Sequence, residues 1–401
     1  MKHCLFPRSC HTLIFLLSMH LTVLAAEKRV YIAPDDHTDY MWSGDEEDYR
    51  RAFVEMLDYY LDQMDATDGD PSEFQSRFNC DGHLWVQVYE KEKSTAEFNR
   101  LIDRIRSGHL SVPLNCLVPV YGGAPLEGII RGMLYAGQLE REHNIRLPLA
   151  VAMENQTLPY GLGAVFAGAG ARYSWRGICG CETKVSNAGD REHDIYWWGG
   201  PDGSRILMKW NTLHGSNQSI GGYAEARTPS AVVDFVSADS DFIARYPYDV
   251  IGAFGYGWDD LKSFTSDFIT TAQNKTTASR KVIVSNEQDF FEDFESNYGT
   301  SIPTVSASFG NEWELALASV AEISASVKRA VEKLRTAEAI ASYVTLYQPN
   351  FMDASKALRE NAWMRMGLFW DHSLTADSPV ISRSVRSAWQ REIAAEITSY
   401  A

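Results

Sequence analysis

The chain has 401 residues, 45% of them hydrophobic and 22% charged, with a formal net charge of −16 at pH 7. That length and apolar content exclude a disordered polymer and supply more than one core's worth of side chains. The acidic balance repels phosphate backbones and argues against nucleic acid as a partner, while neutral ligands such as glycans stay open.

In chain order, Lys2 and Arg8 precede an apolar run over residues 13–26 that ends Leu24-Ala25-Ala26. This is the layout of a secretory signal peptide, so residues 1–26 are expected to be removed and the protein to be secreted or periplasmic. The run is too short and wrongly flanked for a stable membrane span. Cys4 and Cys10 leave with it. Cys80, Cys116, Cys179 and Cys181 are too few for a disulfide framework, and Cys179-Gly180-Cys181 lacks the two-residue gap of a metal or redox pair.

Residues 30–34 read as a strand. Asp45 then reads as the N-cap of a helix to about residue 64, with Phe53, Met56, Leu57, Tyr60, Leu61 and Met64 on one face. Strands are expected over 83–89, 110–117 and 147–153, and helices over 94–107, 125–143 and 158–170. A hairpin is expected from 194–198 and 204–210 around Pro201-Asp202-Gly203. Residues 248–254 and 281–285 read as buried parallel strands. The alternation predicts an α/β catalytic domain over 27–305, with a mainly parallel, barrel-like sheet. Beyond it, three-and-four spacing over 312–346, 355–372 and 381–399 predicts a three-helix bundle over 306–401.

The chemistry-bearing residues follow predicted strand ends, where α/β folds place their sites. His37 and Asp39, two apart on a loop, can turn to one point, and imidazole with carboxylate suits zinc and similar ions. Asp259-Asp260 after an apolar strand can serve as acid or base, crowding by a like charge raising one pKa. The same pair can instead cap a helix over 261–273. Glu154 ends an apolar strand and is either a site residue or a cap. His372, among Trp363, Met366, Leu368, Phe369 and Trp370, reads by itself as a core histidine. Tyr40, Trp42, Trp258 and Trp313 lie beside these pieces and offer faces for sugar rings, or plain packing.

In their shared order these pieces resemble glycoside hydrolase family 38, the zinc-dependent retaining α-mannosidases. Pro34-Asp35-Asp36-His37-Thr38-Asp39-Tyr40-Met41-Trp42 is similar to the family's opening Pro-x-x-His-x-Asp-x-x-Trp. Tyr196-Trp197-Trp198-Gly199-Gly200-Pro201-Asp202-Gly203-Ser204, residues 282–291, Gly310-Asn311-Glu312-Trp313 and residues 328–338 resemble later segments. The resemblance runs over residues 28–399. It implies His37, Asp39 and His372 as zinc ligands, and Asp260 as acid/base, with Asp259 the alternative one position away. It also implies Glu154 as the nucleophile that touches the metal, where the family has Asp. Tyr40, Trp42 and Trp258 would contact substrate. Further departures are Asp36 and Asp35, where many members place His and Ser, and that no β-rich segment follows the helices where the family's β-sandwich domains are expected, as in a short member or a fragment. The implied activity is retaining hydrolysis of α-mannosidic or related bonds in a carbohydrate substrate. The alternative is an inactive carbohydrate-binding homologue, motivated by Glu154. A metal-dependent polysaccharide deacetylase would carry a His-x-x-x-His pair, which the chain lacks.

Overall fold

The structure, a computed structural model, describes residues 27–154, 157–178, 192–213, 222–310, 317–375 and 378–401. The leader, Cys179, Cys181 and Asn311-Glu312-Trp313 lie outside the described residues. The chain opens with β1 (Lys28–Ala33), α1 (Glu46–Thr67), β2 (Phe78–Asn79), α2 (Leu84–Glu92), α3 (Thr95–Arg106) and β3 (Leu110–Ser111). Helices α4 (Leu126–Arg131), α5 (Leu134–His143) and α6 (Leu162–Ala169) follow, then β4 (Tyr173–Arg176), β5 (Ile195–Gly199) and β6 (Arg205–Trp210). Next come α7 (Pro229–Ala238), α8 (Ser240–Arg245), β7 (Val250–Phe254), α9 (Asp267–Lys275), β8 (Arg280–Val284), α10 (Gln288–Tyr298) and β9 (Thr304–Val305). Three helices finish the chain: α11 (Ala321–Thr345), α12 (Lys356–Phe369) and α13 (Arg383–Tyr400).

The fold is mixed α/β with small sheets. β1 runs parallel between β7 and β8, and its Val30, Tyr31, Ile32 and Ala33 are all buried, as a central parallel strand requires. β2 pairs parallel with β3, and β4, β6, β5 and β9 form a mixed sheet in that order. The predicted hairpin is the antiparallel pair β5–β6. α1 starts with a reciprocal capping box between Asp45 and Asp48. Its predicted apolar face is buried, each large side chain contributing on the order of 1.5–3 kcal/mol.

Several elements depart from expectation. Residues 84–92 are helical, not a strand: Leu84, Trp85, Val88 and Tyr89 are buried at helical spacing, and that packing outweighs the strand propensity of Val and Tyr. The predicted strand over 110–117 is regular only at Leu110 and Ser111. The helix expected over 125–143 breaks between α4 and α5 near Gly132, where a Cβ would meet the Gly367 Cα of α12 at 3.5 Å. Residues 147–153 are extended without forming a continuous ladder. They bond to the next segment through Ala150 N to Tyr173 O at 3.0 Å and Ala152 N to Trp175 O at 3.2 Å. The helix expected over 261–273 begins only at Asp267, because Tyr60 donates to the Ser263 carbonyl at 2.8 Å and the Ser263 amide meets Met56 Sδ at 3.1 Å.

α13 packs on α11 and α12, and α12 also on α4. The helical segment is tied to the start of α1, where Glu46 accepts from Trp389 Nε1 at 2.9 Å and Arg365 Nη1 at 2.7 Å. Behind α12 the chain adds to residues 118–120 like a short antiparallel strand. Val120 N donates to Trp370 O at 2.7 Å and His372 N to Val118 O at 3.0 Å. Among the described residues, no helix is long and apolar enough to cross a membrane.

Candidate metal and catalytic site

The loop after β1 carries His37 and Asp39, and its path is fixed by three contacts. Gly257 N donates to Asp35 O at 3.1 Å. Thr38 N donates to Asp81 Oδ2 at 2.9 Å. The turn Asp39 O to Trp42 N, 2.9 Å, places Met41 at φ 67°. Glu154 follows the extended 147–153 segment, its amide bonded to Gly177 O at 2.6 Å and its carbonyl accepting from Arg176 Nε at 2.9 Å. These two bonds hold Glu154 at φ 56°, a left-handed backbone that costs a non-glycine residue on the order of 1–3 kcal/mol and clusters at functional sites. His372 arrives on the bridge to Val118.

The four side chains converge. One ligand atom from each of His37, Asp39, Glu154 and His372 lies within 4.8 Å of all the others, and all four residues are buried. His372 Nε2 is 2.9 Å from Asp39 Oδ1 and 3.5 Å from Glu154 Oε2. His37 Nε2 is 3.5 Å from Asp39 Oδ1 and 3.7 Å from Glu154 Oε1. His37 Nε2, Asp39 Oδ2 and Glu154 Oε2 are buried without a hydrogen-bond partner. Buried polar atoms are normally paired; two imidazoles and two carboxylates with orphaned atoms aimed together fit a divalent cation of zinc type.

Charge supports that fit. Burial opposes the charged form of His37, but Asp39 and then Glu154 raise its pKa well above the usual value. For His372, burial is likewise overcome by Asp371, Asp39 and Glu154. Asp39 is held far below the carboxylate range by the two imidazoles, against its own burial. Behind the imidazoles stand carboxylates: Asp81 Oδ2 lies 3.8 Å from His37 Nδ1 and Asp371 Oδ2 3.5 Å from His372 Nδ1, where the Val118 carbonyl also stands at 3.3 Å. Ser373 Oγ donates to Asp39 Oδ1 at 3.0 Å.

The adjacent acids point apart. Asp260 Oδ2 pairs with Arg227 Nη1 at 2.7 Å and accepts from Trp258 N at 3.3 Å. Asp259 turns to the His37–Asp39 side of the cluster: its Oδ1 accepts from Tyr223 Oη at 3.1 Å. The residue is exposed, yet partial desolvation and then the Asp39 charge push its carboxyl up to about 6. Neither acid caps a helix. Trp258 is half-buried and stacks on Tyr223 at 4.3 Å. Trp42 is half-buried, its carbonyl accepting from Ser378 Oγ at 2.6 Å. Tyr40 is turned away from the ligands. It is 1% exposed and packed among Tyr49, Phe53 and Trp389 at 5.2, 6.4 and 5.8 Å, because the Met41 turn sends it under α13. Sequence reasoning missed Asp81, Arg176, Tyr223 and Ser373. Only Gly222 before Tyr223, at φ 69°, offered a hint that the backbone there must make room.

No family model and no curated protein matches the sequence. Solved structures do. An α-mannosidase from Enterococcus faecalis V583 superposes with a TM-score of 0.69 at 16% identity, over 93% of this chain and 41% of that one. A glycosyl hydrolase family 38 protein from Enterococcus faecalis gives 0.63 at 16% identity, over 94% and 39%. A 4-α-glucanotransferase from Thermococcus litoralis gives 0.51 at 12% identity, over 94% and 60%. The chain thus spans about two-fifths of the length of the first two structures, and its fold is like that of solved glycoside hydrolase family 38 α-mannosidases.

Proposed function

We propose that the protein is a retaining glycosidase acting on α-mannosidic or related bonds, with one divalent ion, zinc by chemistry of the ligands, held by His37, Asp39, Glu154 and His372. The observation that carries the reading is the convergence of four ligands from three distant stretches of chain on one buried point. Such an ion, when bound, polarises sugar hydroxyls and favours ring distortion. The two carboxylates divide the remaining work. Glu154 attacks the anomeric carbon as the bond to the leaving oxygen breaks, and Asp259 gives that oxygen its proton. Asp259 then takes a proton from the water that displaces Glu154. We assign this acid/base role to Asp259 rather than Asp260, because Asp260 is committed to Arg227 while Asp259 faces the ligands and is pushed up to about 6, a value suited to proton transfer near neutral pH.

The Glu154 departure is compatible with catalysis. A glutamate reaches about 1.5 Å further than an aspartate, and its left-handed backbone is held by Arg176 and Gly177. The same reading takes residues 27–305 as the catalytic unit, its short sheets as a barrel, residues 306–401 as a helical bundle, and the leader as a signal for export.

The test is hydrolysis of an aryl α-mannoside by the zinc-loaded full chain, with and without chelator. Turnover that chelation abolishes and zinc restores is expected. Zinc bound in equal stoichiometry with no turnover of any aryl glycoside would replace the enzyme with a carbohydrate-binding protein.

A further inference from the structure

Three glycines make room for one tyrosine. A Cβ on Gly177 would lie 2.2 Å from the Tyr223 Cα, and one on Gly255 would lie 2.0 Å from the Tyr223 carbonyl oxygen. Gly222, directly before it, has φ +69°, a conformation that suits glycine. Main chain from three segments is therefore fitted around Tyr223. Its side chain is buried, with 1% of the residue exposed. The ring lies between His37, at a centroid distance of 4.2 Å and 35° between planes, and Trp258, at 4.3 Å and 27°. Its hydroxyl donates to Asp259 Oδ1 at 3.1 Å. A phenol O–H facing a carboxylate oxygen is the donor of that bond.

Tyr223 thus touches one group of each kind that the site requires: a metal ligand, the proposed acid/base and an aromatic platform. Asp259 needs such a holder. The residue itself is exposed; its carbonyl accepts from Ser43 Oγ at 2.6 Å, and its carboxylate takes a hydrogen bond from Tyr223. His37 needs one too, since both its ring nitrogens lack hydrogen-bond partners and the plane of the imidazole is set by packing.

We propose that Tyr223 is the positioning residue of this site: its hydroxyl fixes the Asp259 carboxylate against the leaving oxygen, and its ring fixes the plane of His37 for metal binding. The inference rests on the glycosidase reading. A misplacement of about 1 Å in a catalytic group costs about a hundredfold in rate, so a single hydrogen bond of this kind is visible in kinetics.

Two variants separate the halves. Tyr223→Phe keeps the ring and removes the hydroxyl; Tyr223→Leu removes both. Each is assayed on methyl α-mannoside, whose poor leaving group needs protonation, and on 2,4-dinitrophenyl α-mannoside, whose leaving group does not. Zinc affinity is measured by chelator competition. For Tyr223→Phe, kcat/KM on the methyl glycoside is expected to fall by about tenfold to a hundredfold, with kcat/KM on the dinitrophenyl glycoside, which reports only the attack of Glu154, and zinc affinity within about twofold of wild type. For Tyr223→Leu, zinc affinity is expected to fall as well, by about tenfold or more. Equal losses on both substrates, or none, in Tyr223→Phe overturn the hydroxyl role. Unchanged zinc affinity in a folded Tyr223→Leu overturns the ring role; if that variant does not fold, Tyr223→Met, which fills the space without a ring, replaces it under the same criterion, and weaker zinc binding in Tyr223→Phe overturns the division of labour. A wild-type chain that binds zinc but cleaves neither glycoside sinks the glycosidase reading and the hydroxyl role with it, while the metal comparison still decides the role of the ring.

Discussion

The assignment of the acid/base to one of two neighbouring aspartates can be decided by a pair of isosteric changes. In Asp259→Asn the carboxyl that faces the metal ligands can no longer give or take a proton. General acid–base catalysis is typically worth about 10²–10⁴ in rate, or about 2.7–5.4 kcal/mol of barrier, so kcat on an unactivated mannoside is expected to fall by that factor while zinc stays bound. In Asp260→Asn the loss is an ion pair with Arg227 at 2.7 Å, whose side chains are 41% and 35% exposed. Such partly exposed pairs contribute about 0.2–1 kcal/mol to stability, and kcat is expected within about threefold of wild type. The pH profile adds a signed check. A general acid acts in its protonated form, and Asp259 is pushed up to about 6, so kcat/KM of the wild type should fall as pH rises through that region. Steady-state kinetics over a range of pH, with zinc content measured on each variant, make the comparison. A large loss in Asp260→Asn beside an active Asp259→Asn would refute the reasoning, because it would show that the Arg227 pair opens in the reacting complex.

Three other changes probe the same architecture. Glu154→Asp withdraws the carboxylate by about 1.5 Å from contacts of 3.5 and 3.7 Å with the two imidazoles; kcat is expected to drop by about a hundredfold, and a gain in rate would mark the glutamate as the lesion of an inactive homologue. Zinc binding should release protons at pH 7 and weaken as pH falls, because His37 and His372 are held protonated by the surrounding carboxylates and must become neutral to ligate; calorimetry in two buffers of different ionisation enthalpy reads this, and identical heats in both would contradict it. Glu287 is buried and pushed from 4.5 up to about 8, by burial first and then by Asp81. The folded state therefore holds its proton more tightly, and the stability this gives is lost as pH rises from 4.5 through about 8. Glu287→Gln, which cannot ionise, should then gain a few kcal/mol relative to wild type at pH 8 and nothing at pH 4; equal denaturant midpoints at pH 8 would show that the charge is already compensated.

How far the sequence reveals the site depends on the distance over which each contact is made. His37 and Asp39 are legible because two residues of the converging cluster lie within one loop. Glu154 is legible because a charge ends an apolar run. His372 is indistinguishable from a core histidine by its neighbours alone: its partner Asp39 lies 333 positions away, and only the shared order of motifs links the two. The different surroundings of Asp259 and Asp260, on which the proposed acid/base rests, are invisible, since they are set by Tyr223 and Arg227, 36 and 33 positions away. Tyr40 fails for the opposite reason. It sits inside the most motif-like stretch of the chain, yet the left-handed Met41 turns it into the core. In the fold, long one-faced helices such as α1 and α13 read directly from spacing. Residues 84–92 misled because Val and Tyr carry strand propensity while their burial follows a helix.

The arrangement of charge suggests why the ligand cluster holds its shape. Two carboxylates, Asp39 and Glu154, would repel at this range if nothing positive stood between them. In the protein alone, protons on His37 and His372 supply that positive charge, and His372 Nε2 sits 2.9 Å from Asp39 Oδ1. A divalent ion bound at the same point would replace two protons by two charges, leaving the sum unchanged while turning the nitrogens from donors into ligands. Asp81 and Asp371, 3.8 and 3.5 Å behind the imidazoles, keep negative charge at the far nitrogens in either state, and the Val118 carbonyl lies 3.3 Å from His372 Nδ1. The cluster is therefore balanced with or without metal, and exchanging one form for the other requires small side-chain adjustments rather than refolding. Removing Asp371 by Asp371→Asn tests this. If the balance is as described, zinc affinity should fall by about 10–100-fold with little change in the melting temperature of the metal-free chain, whereas a large loss of metal-free stability and no change in affinity would place Asp371 in the scaffold alone.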